Sequence, residues 1–186
     1  KLLVNTHLLG SVDVFRLLNN PIDEVKCVVM EHMIQKIPAP DLEVLQPTLL
    51  ATAASEESNR KSRSLAIQLL RRYVKNTTDW LSSMLSLYKQ TNDDLLRCTI
   101  LKTVTTDLFS LDSCDIHTLI ELSDHLLEAT KGDSKCRHAA ACAISQLEEL
   151  LYIDLKMEDS LKRQTLLCNL WMAIFRLLLD NDELVR

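Results

Sequence analysis

Apolar residues recur at helical spacing along nearly the whole chain. Leu8, Val12, Phe15 and Leu18, for example, fall on one side of a helix. The same period returns after each polar turn. It predicts ten helices, at about 2–18, 21–37, 42–50, 58–75, 77–88, 93–109, 113–127, 134–155 and 159–179, with a tenth that begins near residue 182.

The same periodicity selects the residues that should face the core. The second helix is expected to bury the set Val25, Val28, Val29, Met33, Ile34 and Ile37. The fifth is expected to bury Trp80, Leu81, Met84, Leu85, Leu87 and Tyr88. The ninth is expected to bury Leu161, Leu166, Leu167, Leu170, Trp171, Ile174 and Leu178.

Polar segments mark the boundaries between these helices. Residues 51–59 are small and polar, which predicts a loop. Asp112 or Ser113 is expected to cap the seventh helix. Gly132 is expected to stop that helix, and Asp133 to cap the next one.

A basic residue lies near the start of each second helix, and the distance along the chain between these residues gives the length of each helix pair. The series is Lys26, Arg60 or Lys61, Arg97, Arg137 and Arg186, with gaps of about 34, 37, 40 and 49 residues. The segments 23–26 and 182–186 place an acid three or four residues before a base, a pattern that resembles the HEAT repeat signature. The resemblance implies an all-α, right-handed α-α superhelix of about five helix pairs. We expect residues 1–186 to form a single HEAT-like repeat domain, part of a longer solenoid protein.

The composition supports an all-helical fold and excludes several classes of protein. The chain has 186 residues with only two glycines and four prolines, too few turn residues for a sheet-rich fold. A net charge of −5 argues against wholesale coating of nucleic acid. Six scattered cysteines in helical contexts predict reduced thiols and a cytoplasmic or nuclear location. No apolar run is long enough to predict membrane insertion.

One helix carries a strongly basic face. No acidic residue interrupts residues 58–78, and the basic residues that share one side are Arg60, Lys61, Arg71, Arg72 and Lys75. Arg63 lies at the edge of the apolar side. The face could contact RNA phosphates or an acidic protein partner. It could equally be a solvated surface whose charges meet nearby acids such as Glu56 and Glu57.

Nothing in the sequence indicates catalysis. His117 and His125 are too far apart on one helix to share a metal and are expected at the helix surface or partly buried, and Cys136 and His138 point in different directions. Phosphate-binding loops and nucleophile elbows require more glycine than the chain contains. We therefore expect no enzyme activity, no catalytic residue, no metal, no cofactor and no small-molecule substrate.

A narrower resemblance concerns the segment 180–186, Asp-Asn-Asp-Glu-Leu-Val-Arg. Together with the leucine-rich helix pairs, this turn is similar to those of the thyroid-adenoma-associated protein family, the non-catalytic partners of a tRNA 2′-O-ribose methyltransferase. The resemblance implies a scaffold that supports tRNA methylation, with a methyltransferase as protein partner. The alternative is a protein–protein adaptor in trafficking or complex assembly without a nucleic-acid role. The leucine-rich, HEAT-like sequence pattern is also similar to that of other large scaffolds, such as adaptins and Integrator and condensin subunits.

Overall fold

A computed structural model describes residues 11–36, 42–73, 77–105, 115–147, 160–183 and 185. All regular elements in these ranges are α-helices, so the all-α prediction is confirmed for this part of the chain. They are α1 Ser11–Leu18, α2 Asp23–Lys36, α3 Leu42–Ala54, α4 Arg60–Tyr73, α5 Thr77–Gln90, α6 Asp94–Thr105, α7 Ile116–Ala129, α8 Ser134–Gln146 and α9 Ser160–Leu178. Predicted helix ends at 2–10, 37 and 106–109 lie outside the described residues.

The contacts divide the chain into two compact units, residues 1–74 and 75–186. In the first unit, α1 packs on α2 and α3, and α4 packs on both α2 and α3. Its core is formed by fully buried side chains of α2, α3 and α4: Met30, Met33, Leu45, Leu49, Ile67 and Leu69.

In the second unit, helices contact both their sequence neighbours and the helix two positions along. The pairs α5 with α7, α7 with α9 and α6 with α8 are all in contact. All six residues predicted to be the core of α5 are buried. Their strong period and the polar flanks of the helix made its inner face unambiguous.

The predicted inner faces of α2 and α9 are partly wrong. In α2, Val28 is exposed, while Cys27 and Met30 are buried. In α9, Leu161 and Trp171 are exposed, and Leu178 is exposed as well. The reason is the same in both helices: apolar residues lie around most of the circumference, so the period alone does not choose the buried side.

Three predicted boundaries also differ. Helix α3 continues through Ala54, which shortens the loop predicted at 51–59. Asp115, and neither Asp112 nor Ser113, caps α7, because its carboxylate accepts hydrogen bonds from the backbone N–H groups of His117 and Thr118. Helix α8 ends at Gln146, before the end predicted at about residue 152 or 155.

Of three predicted features near turns, one is confirmed and two differ from the prediction. Asp133 caps α8 as predicted, with its carboxylate accepting from the N–H of Cys136 at 2.8 Å. Gly132, however, does not have a positive φ, so it is not a left-handed stop. A Cβ at this position would lie 2.8 Å from the Cβ of Cys136, so the glycine permits a close approach. The tenth helix is not seen, since the described residues Glu183 and Val185 form turns.

Candidate partner-binding face

Helix α4 begins with a side-chain cap and buries one clear apolar side. The Oδ1 atom of Asn59 accepts a hydrogen bond from the N–H of Ser62 at 2.8 Å, which satisfies a free backbone donor in the first turn. Ala66, Ile67 and Leu70 of α4 are buried within the first unit. Packing against α2 and α3 therefore fixes which side of α4 faces outward.

The predicted basic residues are placed unequally on this outward side. Arg60 and Lys61 are exposed, and Arg71 is half-buried. The side chain of Arg72 and all of Lys75 lie outside the described part of the chain. The structure thus places the first two members of the predicted face at the surface.

An acidic residue lies within this face. The Nζ atom of Lys61 is 2.5 Å from Oε1 of Glu31, which belongs to α2, and both side chains are largely exposed. This hydrogen bond raises the pKa of Lys61, with the negative charge of Glu31 adding to the effect. One of the two alternatives for this face has its charges meet acids on a neighbouring helix, with Glu56 and Glu57 as examples. The acid that pairs with Lys61 is Glu31 of α2.

Arg63 has a structural role that its sequence position did not reveal. Its side chain is only 8 % exposed, and its Nε–H donates a hydrogen bond to the carbonyl oxygen of Ala53 at 3.0 Å. Ala53 lies in the last turn of α3, where carbonyl groups have no partner within the helix. A cation at a helix C-terminus also interacts favourably with the helix dipole. Arg63 therefore joins α4 to α3.

The first turn of α2 meets the start of α4. The carboxylate of Asp23 accepts from the backbone N–H of Asn59, 36 residues away, and its other oxygen lies 3.2 Å from Nζ of Lys26. The hydrogen bond from Asn59 is the main reason why the pKa of Asp23 is lowered. One turn further on, Sγ of Cys27 is 3.2 Å from Oγ of Ser62.

The second unit repeats this contact between helix starts. Sγ of Cys98 in α6 lies 3.6 Å from Sγ of Cys136 in α8, 38 residues away. Nε of Arg137 then donates to Oδ2 of Asp180 at 2.6 Å, across 43 residues. The hydroxyl of Ser134 donates to Asp182, across 48 residues. Contacts about one repeat length apart therefore connect the start of α8 to the start of α6 and to the turn after α9.

A cluster of ring and charged groups lies where α5, α6 and α7 meet. The rings of Tyr88 and His125 are 4.5 Å apart, and the guanidinium of Arg97 is 5.5 Å from the Tyr88 ring centre. Burial lowers the pKa of His125, although the negative charge of the nearby Glu121 carboxylate acts in the opposite direction. Nζ of Lys89 lies 3.0 Å from Oε1 of the same Glu121. Burial also raises the pKa of Tyr88.

The histidine of this cluster was predicted to be at the surface or partly buried. The half-buried position of His125 fits the second of these. The cluster itself was missed, because its members come from three helices and no local spacing connects them. The buried position predicted for Tyr88 was the one available signal.

The described residues contain no group of three or more His, Cys, Asp or Glu side chains that could hold a metal ion. The five cysteines within the described ranges carry free thiols. An open cleft of about 420 Å³ lies between the α1–α2 turn and α3, and the charged side chain in its lining, Lys26, is paired with Asp23.

Comparison of the chain with protein-family models, with curated proteins and with solved structures gave no match. Among the helices in the described ranges, none is long and apolar enough to cross a membrane. A function for the chain must therefore be inferred from its own residues and their contacts.

Proposed function

We propose that the chain is a non-catalytic interaction module whose helix pairs stack within each unit in the manner of HEAT repeats. The observation that carries this proposal is a series of contacts about one repeat length apart. Asp23 with Asn59 and Cys98 with Cys136 join helix starts, and Arg137 at the start of α8 pairs with Asp180 in the turn after α9. Stacked pairs with such contacts form extended surfaces that remain rigid when a partner binds. That residues 1–186 form one continuous right-handed superhelix stays a prediction.

The partner-binding surface in this proposal is the basic face of α4. Arg60 and Lys61 stand exposed at its first turn, on a helix without an acidic residue. In its specific form, the module supports a tRNA 2′-O-ribose methyltransferase and contacts tRNA phosphates through this face. That form rests on the sequence resemblance of segment 180–186.

The second candidate is a protein–protein adaptor without a nucleic-acid role. The ion pair between Lys61 and Glu31 favours it, because an acid inside the face repels phosphates and reduces the charge available to them. A protein partner can use the same surface by supplying a carboxylate that displaces Glu31 from Lys61.

Salt dependence separates the two candidates. The probe is unmodified tRNA, titrated into the parent chain and into the Arg60→Glu/Lys61→Glu variant between about 50 and 200 mM salt. If both residues contact phosphates, the slope of log Kobs against log salt becomes shallower in the variant by about 1.4–1.8. A matched control, Lys131→Glu/Lys135→Glu, makes the same charge change at exposed positions of the second unit.

The outcomes are distinct. A slope change in the α4 variant alone supports the RNA-contacting scaffold. Equal changes in both variants mean that tRNA senses net charge alone, and a parent chain that does not bind tRNA refutes the RNA role. Circular dichroism of each variant confirms that the helices are retained.

A further inference from the structure

Two cysteine side chains meet between helices α6 and α8 of the second unit. Sγ of Cys98 lies 3.6 Å from Sγ of Cys136, and 38 residues separate the two along the chain. Both are free thiols. A disulfide bond has a sulfur–sulfur distance of about 2.05 Å, so the two atoms must approach each other by about 1.5 Å to form one. Rotation about the Cα–Cβ bonds and a small shift of the helices can supply this approach.

Helix packing brings the two sulfur atoms together. Helices α6 and α8 are in contact, and Leu101 of α6 is buried. The side chains that α8 buries are mainly alanine, namely Ala139, Ala140 and Ala143. The distance between two packed helices depends on the side chains at their contact, and small ones let the helices lie close. The folded chain therefore holds the thiols at a much higher effective concentration than the unfolded chain does.

A small reagent can reach Cys136 beside Gly132. Gly132 is exposed, and Cys136 is half-buried. A Cβ atom at residue 132 would lie 3.4 Å from Sγ of Cys136, and glycine leaves this position without a side chain. Cys98 is only 8 % exposed. Cys136 is therefore the thiol that meets a reagent from solution, and Cys98 is the thiol that reacts with Cys136.

The surroundings of the pair favour uncharged sulfur. Burial raises the pKa of Cys98, and it raises the pKa of Cys136 to about 12. Thiolate is therefore scarce at neutral pH, and the pair reacts slowly. A disulfide is uncharged, so its formation leaves no charge among the buried side chains. These properties suit a response to prolonged oxidation rather than to a brief one.

We propose that Cys98 and Cys136 form a modification site at which a small disulfide, such as oxidised glutathione, converts the two thiols into a bond between α6 and α8. This bond fixes two helix starts of the second unit to each other. The proposal goes beyond the interaction module proposed above and depends on neither the RNA nor the protein partner.

The reaction has two exchange steps. The thiolate of Cys136 attacks one sulfur of oxidised glutathione, and the released glutathione thiolate takes up the proton that Cys136 lost. Sγ of Cys98 then attacks Sγ of Cys136 and loses its own proton, and the second glutathione leaves as a thiol. The two protein thiols lose two electrons, and one molecule of oxidised glutathione is reduced to two molecules of glutathione.

The test measures an equilibrium, so the slow reaction does not affect its result. The full chain is kept at about pH 8 in mixtures of reduced and oxidised glutathione until the oxidised fraction is constant. Acid then stops the exchange, and the remaining thiols are alkylated. Trypsin cleaves after lysine and arginine, so it releases residues 98–102 linked to residues 136–137, and mass spectrometry quantifies this linked peptide.

We expect the equilibrium constant for the bond to be at least about tenfold larger in the folded chain than in about 8 M urea, because folding holds the sulfur atoms in contact. The same factor must stabilise the folded chain, and tenfold corresponds to about 1.4 kcal/mol. For an m value of about 2 kcal/mol/M, the urea midpoint should rise by at least about 0.7 M on oxidation. Fluorescence of the two tryptophans, both in the second unit, follows this midpoint.

Serine variants localise the bond. Cys98→Ser and Cys136→Ser should each remove the linked peptide and the rise of the midpoint. The matched control is Cys142→Ser, in the same helix as Cys136, where Sγ lies 3.5 Å from Nε2 of His138 instead of near a second thiol. It should retain both effects. Cys168→Ser, which removes an exposed thiol that can link two chains, should retain them as well.

Three results would overturn the proposal. The first is a chain that carries glutathione on Cys136 in the most oxidising mixture but yields no linked peptide. The second is an equilibrium constant that is the same with and without urea, since the fold then does not hold the thiols together. The third is an oxidised chain with a urea midpoint at or below that of the reduced chain, since the bond then strains the packing of α6 on α8.

Discussion

Within the basic segment of α4, Arg63 has a structural role, whereas Arg60 and Lys61 belong to the proposed partner-binding face. Replacing it with methionine keeps most of the buried aliphatic stem but removes the donor to the Ala53 carbonyl. A hydrogen bond from a charged donor contributes about 1.5–3 kcal/mol, and the carbonyl left behind is costly to bury. We expect Arg63→Met to lower the free energy of unfolding by about 2 kcal/mol.

The assay is urea unfolding followed by circular dichroism. For an m value of about 2 kcal/mol/M, a loss of about 2 kcal/mol moves the midpoint down by about 1 M. Arg63→Lys retains the charge but not the planar donor, so its midpoint should fall less. Both tryptophans lie in the second unit, so their fluorescence shows whether the loss extends beyond the first.

Arg60→Met is the matched control, because Arg60 is an exposed arginine in the same helix. Its effect should stay within about 0.5 kcal/mol, as is usual for surface substitutions. If Arg63→Met is as stable as the parent chain, the assignment of Arg63 as the link between α3 and α4 is wrong.

Three further predictions concern the second unit. Gly132→Ala should lower the free energy of unfolding, measured in urea, by about 1–3 kcal/mol through overpacking against Cys136. The larger side chain of Gly132→Asn should lower it further. A smaller effect of asparagine than of alanine would instead indicate a left-handed backbone at this position. Since burial holds the pKa of His125 below its unfolded value of 6.5, the unfolded chain binds more protons as the pH falls below 6.5, and stability should decline there. His125→Gln should reduce this decline in pH-dependent unfolding, whereas His117→Gln, an exposed ring on the same helix, should not. Burial raises the pKa of Cys136 to about 12, so at pH 8 iodoacetamide should modify the exposed Cys168 first; mass spectrometry that finds the reverse order would contradict the packing of Cys136.

The sequence predicted helices well wherever one side was clearly apolar. In α5 the polar and apolar positions separate cleanly, and the predicted core is correct. In α9 apolar residues occupy two sides, and only tertiary packing decides that Leu166 is buried while Trp171 is exposed. Binary pattern therefore identified α9 as a helix but could not choose its inner side.

The candidate site shows the same division. The period placed Arg60 and Lys61 on the outward side of α4, as the structure does. The periodicity put Arg63 at an edge, and nothing local indicated that the end of α3 would lie close enough to accept its hydrogen bond. The pairing of Lys61 with Glu31 likewise depends on how α2 and α4 pack, which the spacing of either helix does not contain.

The carboxylates in these long-range contacts have two roles at once. The two oxygens of Asp23 are used differently: Oδ1 pairs with Lys26 in the same helix, and Oδ2 accepts the N–H of Asn59 at the start of α4. Asp180, in the turn after α9, also bonds within its turn and to another helix. Its Oδ1 accepts the N–H of Asp182, and Arg137 donates to both oxygens, from Nε to Oδ2 at 2.6 Å and from Nη2 to Oδ1 at 3.4 Å. Each carboxylate thus bonds within its own turn and to the start of another helix, α4 for Asp23 and α8 for Asp180. Because each contact joins a turn or a helix start to the start of another helix, the segments between them can differ in length while the contact is retained.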